Sequence, residues 1–198
     1  MDKTRLSWVS EGKKIVTIHI GEFFASSEPV VVNTILGSCV SACLYDPGAG
    51  IGGMNHILVP GKASFKDFNA AARFGINAME LLINAMMTLG ADRSRIKAKV
   101  FGGAHVLPGL SEQSAVGQKN AEFVVNFLNN ENIGIECKDL GGYKTRKIFF
   151  HTDSARVFLK RSHTIASHEL ARLEQEKLKI INRKMEETHE VTWFTVNK

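Results

Sequence analysis

Long apolar runs are missing from this chain of 198 residues. None approaches the roughly 18–20 residues of a membrane-spanning helix, so membrane insertion is not expected. Cysteine is scarce too. Cys39, Cys43 and Cys137 are an odd number and do not make a disulfide framework in a chain this long, which points to a reducing, cytoplasmic compartment. The N-terminal charges have no apolar segment behind them, so no secretory leader is expected. There is no internal repeat and no low-complexity tract. One-signed charge is lacking as well. The net charge is +5, but the Lys and Arg residues are dispersed. The densest stretch, Lys177 to Lys184, is interleaved with Glu174, Glu176, Glu186 and Glu187, the pattern of a solvated helix face. With no zinc-finger spacing, no basic region followed by heptads and no aromatic RNA-binding signature, a nucleic-acid partner is not expected. The positive excess still favours encounter with an acidic protein.

What remains is a globular composition, 44% hydrophobic and 23% charged, long enough for one domain with or without an appendage. Lys14 to Ile20 alternates with the period of a half-buried strand. Pro29 to Ile35 and Val40 to Tyr45 are apolar and β-rich, separated by a break at Gly37-Ser38. Asp46 to Gly50 has turn chemistry, and Ile51 to Val59 reads as the return strand of a hairpin. A helix is expected over residues 66–89, with Phe68, Ala72, Ile76, Met79, Ile83 and Met86 on its inner face. Short strands follow at 97–101, 133–140, 147–150 and 157–159, with a second helix over 118–130 facing inward through Ala121, Val124, Phe127 and Leu128. The order predicts an α+β fold: sandwich-like sheet layers, two main helices packed on one side, and a C-terminal helix.

The boundary expected is a domain over 1–162 and a charged helical extension over 163–198. In that extension Leu170, Leu173, Ile180, Ile181 and Met185 form a narrow stripe. It suits either a terminal helix docked on the domain or a helix that meets a partner.

Chemistry concentrates near the break. Cys39 follows Gly37-Ser38, where a glycine frees the backbone to turn a thiol outward and nearby N–H groups can serve an oxyanion. Cys43 and Cys137 read as core, and an extended Cys39–Cys43 spacing of about 13 Å is beyond disulfide reach. No His and Cys set has metal spacing, so neither metal nor cofactor is expected. His163, His168 and His189 fall on the polar tail and His19 on a strand surface, whereas His105 and His151 could each line a site. Counting inward from the 46–50 turn brings residues near 39 and 57 together, making Cys39 and His56 a candidate thiolate–imidazolium pair. The imidazole needs an orienting group. Strand parity favours Asn33, and a bulge at Gly37 would favour Thr34.

Several blocks in order carry a family resemblance: Thr34 to Val40 (TILGSCV), Cys43 to Pro47, Gly52 to His56 (GGMNH), Phe101 to Ala104, Gly117 to Asn120, and Asp139 to Gly142 followed by Arg146-Lys147. Over roughly residues 13–160 the chain resembles the chemoreceptor glutamine deamidases of the CheD family. The resemblance implies a fold similar to the catalytic domain of cytotoxic necrotizing factors. It also implies a Cys-His-Thr triad, with Cys39 as nucleophile, His56 as its histidine and Thr34 as the threonine, and with Asn33 as a papain-like substitute; Gly37 and Ser38 would support the site. The implied activity is that of a protein-glutamine glutaminase, converting glutamines of methyl-accepting chemotaxis receptors to glutamates. A substrate borne on a folded receptor suggests a shallow site at the protein's edge, where Gly102-Gly103 and Gly141-Gly142 permit backbone approach or serve as plain turns. The rivals are a non-catalytic adaptor that binds receptors or a CheC-type phosphatase, and a different thiol amidase or thioesterase on the same scaffold.

Overall fold

The computed structural model describes residues 7–58, 65–105, 116–162 and 166–187. Its elements in chain order are α1 (Ser7–Ser10), β1 (Lys14–Thr17), β2 (Phe23–Ser26), β3 (Val30–Leu36), β4 (Val40–Asp46), β5 (Ile51–Asn55) and α2 (Phe65–Thr88). There follow β6 (Lys97–Gly102), α3 (Val116–Asn130), β7 (Gly134–Leu140), β8 (Thr145–His151), β9 (Val157–Ser162) and α4 (Ala166–Glu187). The fold is α+β. One sheet has the order β1-β3-β8-β9 and the other β2-β5-β4-β6-β7, each with one parallel pair among antiparallel ones.

Strand parity splits the core into two layers. Even residues of β3 (Val32, Leu36) and odd residues of β4 (Cys43, Tyr45) meet between the sheets, with Met54, Phe101, Ile148 and Phe150. Even residues of β4 (Ala42, Leu44) turn to the other face of the five-stranded sheet. There they are covered by Met79, Leu82, Ile83 and Met86 of α2 and by Val124, Phe127 and Leu128 of α3. The break at Gly37-Ser38 is therefore a crossing: β3 lies in one sheet and β4 in the other.

Several expectations need correction. The strand read over Lys14 to Ile20 stops at Thr17, and the return strand stops at Asn55 with a single further pair, Val40 with Ile57; Val59 lies outside the described residues. β2 was not anticipated, because Phe23 to Ser26 are all half-buried and show no alternation. Ile76 is 44% exposed instead of inward. Gly75 takes that place, where a Cβ would stand 2.5 Å from the Phe123 ring, so the inner stripe runs through Gly75, Met79 and Leu82. Cys137 is exposed, not core. The β6–β7 register slips between Ala98 and Lys99, leaving Glu136 as the extra residue, and this turns Cys137 away from the face that Ile135 shares with the helices.

The stripe of α4 is also different. Leu173 and Ile180 are exposed, and the docked face carries Glu174, Leu178 and Ile181. The side chains of Leu170 and Met185 lie outside the described residues, as do those of His163, His168 and His189.

Candidate active site

The crossing from β3 to β4 is held from behind by its carbonyls. Gly37 O accepts from Ala104 N (2.8 Å) and Cys39 O from Gly103 N (2.8 Å). Ser38 O accepts from Asn120 Nδ2 on α3, also at 2.8 Å. Close approach demands glycine here. Gly102 has φ +117°, and a Cβ on it would stand 2.2 Å from Cys39 O. Gly117 lies against the carbonyls of Gly103 and Ala104. Two of the blocks that carried the family resemblance, Phe101 to Ala104 and Gly117 to Asn120, thus build the back of this loop.

With three consecutive carbonyls tied back, three N–H groups face forward. They converge on one carboxylate, that of Glu174 from α4. Its Oε1 accepts from Gly37 N (3.2 Å) and Cys39 N (3.5 Å), and its Oε2 from Ser38 N (3.2 Å) and Ser38 Oγ (2.6 Å). Consecutive N–H groups arranged this way form a concavity for an anion. Glu174 is 0% exposed. The sequence placed it on a solvated face, and its burial together with Leu178 and Ile181 emerges only in the tertiary structure.

His56 approaches from the hairpin. β4 and β5 pair Asp46 with Ile51 and Cys43 with Met54, and the same register continues to Val40 and Ile57. That puts Cys39 and His56 on one face of the sheet, diagonal to each other. The ladder opens locally where Ala42 N donates to Asn55 Oδ1 (2.9 Å) and Ser41 Oγ to Asn55 O (2.5 Å). Across the strand, His56 N donates to Glu22 O and His56 O accepts from Gly21 N, both at 2.9 Å.

Thr34, not Asn33, meets the imidazole. Thr34 Oγ1 lies 2.8 Å from His56 Nδ1 and 2.8 Å from Ile18 O. A carbonyl can only accept, so the single hydroxyl proton goes to Ile18 O, and His56 Nδ1–H donates to Thr34. The remaining nitrogen, Nε2, therefore carries a lone pair, and it is buried with no hydrogen-bond partner among the described residues. Asn33 faces the opposite way, donating to Val16 O (3.1 Å) and Thr17 Oγ1 (2.9 Å). Parity along an unbroken strand misleads because the chain changes sheets.

The electrostatics describe a closed site. Burial, with Glu174's charge second, pushes the Cys39 thiol well above its ordinary value. Burial, aided by the charge of His19, lowers His56 to about 3. Both groups rest neutral. Cys39 is 0% and His56 3% exposed, so where a shallow site at the protein's edge was expected, both groups are covered. Cys43 is a free buried thiol, and burial raises it also.

The other candidates separate from this centre. His151 is buried and accepts from Lys13 Nζ at 3.1 Å beside Asp153, a tie for the N-terminal segment. His105 stacks edge-on against Tyr143, in a cavity lined also by Gly103, Gln118 and Gly142 that includes neither Cys39 nor His56. Gly141 and Gly142 are a turn with positive φ and open space around them. Arg146 braces that turn, donating to Asp139 Oδ1 and to Gly141 O (2.7 Å).

A buried thiol on an N–H-lined loop, with a histidine whose second nitrogen is fixed by a hydroxyl, is an arrangement shared by cysteine hydrolases. The sequence model described as CheD chemotactic sensory transduction matches residues 58–161. A protein of Dechloromonas aromatica named probable chemoreceptor glutamine deamidase CheD 1 is 42% identical over 154 residues, covering 78% of this chain and 76% of that protein. One of Shewanella oneidensis with the same name is 42% identical over 173 residues, covering 86% and 84%. One of a Caulobacter strain, named probable chemoreceptor glutamine deamidase CheD, is 46% identical over 145 residues, covering 72% and 76%. The chain belongs to the CheD family. A crystal structure of a Neisseria meningitidis protein of family DUF152 overlaps loosely, with 10% identity and a TM-score of 0.41 over 70% of this chain and 66% of that one. No helix among the described residues is long and apolar enough to cross a membrane.

Proposed function

We propose that the chain is a cysteine-dependent protein-glutamine deamidase acting on chemoreceptors, with Cys39 as nucleophile, His56 as general base and acid, and Thr34 as its positioning residue. The single observation that carries this reading is the contact of Thr34 with His56: with the hydroxyl proton on Ile18 O, Nδ1–H is spent on Thr34 and the lone pair stays on Nε2, on the sheet face that Cys39 shares. The receptor substrate is taken from the names of the relatives.

The steps follow from these groups. His56 Nε2 takes the Cys39 proton, and the thiolate attacks Cδ of a substrate glutamine. The oxygen that gains charge is received by the forward N–H groups of Gly37, Ser38 and Cys39 and by the Ser38 hydroxyl. Protonated His56 gives its proton to the leaving nitrogen, ammonia departs, and a thioester remains. His56 then activates water, whose attack releases glutamate and restores the thiol. Each turnover creates one carboxylate on the receptor, which fits a role in adaptation.

The test is ammonia release from a receptor cytoplasmic fragment. The wild-type chain should release it in step with the glutamines converted, and Cys39→Ala and His56→Ala should not. Tight binding without any release would overturn the deamidase and assign the chain to an adaptor role toward receptors or a CheC-type phosphatase.

A further inference from the structure

We propose that α4 is a product-mimicking strap: Glu174 occupies the seat of the substrate side chain, so the site works only when α4 leaves and a glutamine-bearing segment takes its place. The inference rests on the deamidase reading and extends it to what the site holds at rest.

Three observations carry it. A glutamate carboxylate is the product group of glutamine deamidation, and here one sits on the very donors that would receive the oxyanion. It accepts from the N–H groups of Gly37, Ser38 and Cys39 and from Ser38 Oγ, and it is 0% exposed. The docking is directed by the rest of the face: Leu178 packs on the inter-sheet core that includes Leu36 and Cys39, and Ile181 is 9% exposed. Other described side chains of α4 face solvent. Leu173 and Ile180 are half exposed, and the ion pair of Arg172 with Glu176 is internal to the helix and solvated.

A terminal helix whose described buried side chains are one carboxylate and two apolar groups is displaceable. Its rival would present the same chemistry on a helix, a glutamine with apolar residues four and seven positions further on. While α4 stays, a receptor glutamine is kept from Cys39, and the thiol is held neutral.

The sharpest test makes the strap its own substrate. In the full-length Glu174→Gln chain the carboxamide at position 174 is carried to Cys39 within one molecule. Cys39 attacks its Cδ, ammonia leaves with a proton from His56, and water hydrolyses the thioester, so one carboxamide and one water become one carboxylate and one ammonia. Peptide mapping should find position 174 converted back to glutamate, at a rate independent of protein concentration and abolished by Cys39→Ala. A second readout needs no turnover: Cys39 of the full-length Ile181→Asp chain should react with iodoacetamide about tenfold faster than in the wild type, with exposed Cys137 as internal reference.

Self-conversion together with faster labelling upholds the proposal. A Glu174→Gln chain that deamidates a receptor fragment but never itself would overturn the product-mimic seat while sparing the deamidase. Unchanged Cys39 labelling in Ile181→Asp would overturn the strap. Faster labelling with no deamidation of receptor or strap would uphold the cover and instead overturn the deamidase.

Discussion

Thr34 uses its one proton on Ile18 and so makes His56 the donor across their contact. Thr34→Val removes that acceptor and leaves a buried N–H unpaired, a cost of about 1–3 kcal/mol in unfolding free energy. Ammonia release should fall roughly 100-fold, and Thr34→Ser should restore most of both. Asn33→Ala, which loses only bonds to Val16 and Thr17, should leave turnover per folded molecule unchanged. His56 also predicts a pH dependence. Its folded value is about 3 against an ordinary 6.5. Between these values the unfolded chain binds a proton that the folded chain refuses. Stability is therefore full above about 6.5 and falls as pH drops toward 3. Urea midpoints across that range should drop less steeply for His56→Asn than for the wild type. That Cys39 and His56 share a face was legible in the sequence because a hairpin register is a counting problem. The choice between Thr34 and Asn33 was not, because parity cannot show that β3 and β4 lie in different sheets.

The elements that matter are those that hold the β3–β4 crossing. Asn120 of α3 and the Gly102-Gly103 end of β6 tie back the carbonyls of Ser38 and Cys39. Gly102→Ala would force a Cβ against Cys39 O, with backbone on both sides, and should cost more than about 2 kcal/mol. Gly141→Ala meets open space and should cost only the about 1–2 kcal/mol of a positive φ. Denaturant melts of the two variants separate a close approach from a plain turn. Most strands and both packed helices could be read from periodicity, since their apolar positions recur at two or at three to four residues. β2 was hidden by its uniform half-burial, and Cys137 was misread because a single bulged residue reverses every side chain after it.

At the scale of the whole molecule, charge patterning was the least informative signal. Glu174 reads as one of many alternating charges on a solvated helix, and nothing local distinguishes it from Glu176. What distinguishes it is tertiary: the three forward N–H groups exist only after two sheets, α3 and a glycine loop have been assembled. The resting protein is then a closed one, with a neutral cysteine, a neutral histidine and a carboxylate on the N–H groups of the cysteine loop. Since burial and Glu174's charge both raise the thiol, opening the strap should move its titration downward. The pH midpoint of Cys39 alkylation should be lower in Ile181→Asp than in the wild type.

The central claim is that Cys39 converts receptor glutamines beneath a removable cover. The most direct measurement is residue-resolved mass spectrometry of a receptor cytoplasmic fragment incubated with the wild-type, Ile181→Asp or Cys39→Ala chain. Glutamine-to-glutamate conversion should occur at defined positions with the wild type, faster at the same positions with Ile181→Asp, and not at all with Cys39→Ala. Conversion that survives Cys39→Ala, or a folded Ile181→Asp chain no faster than the wild type, would contradict the account.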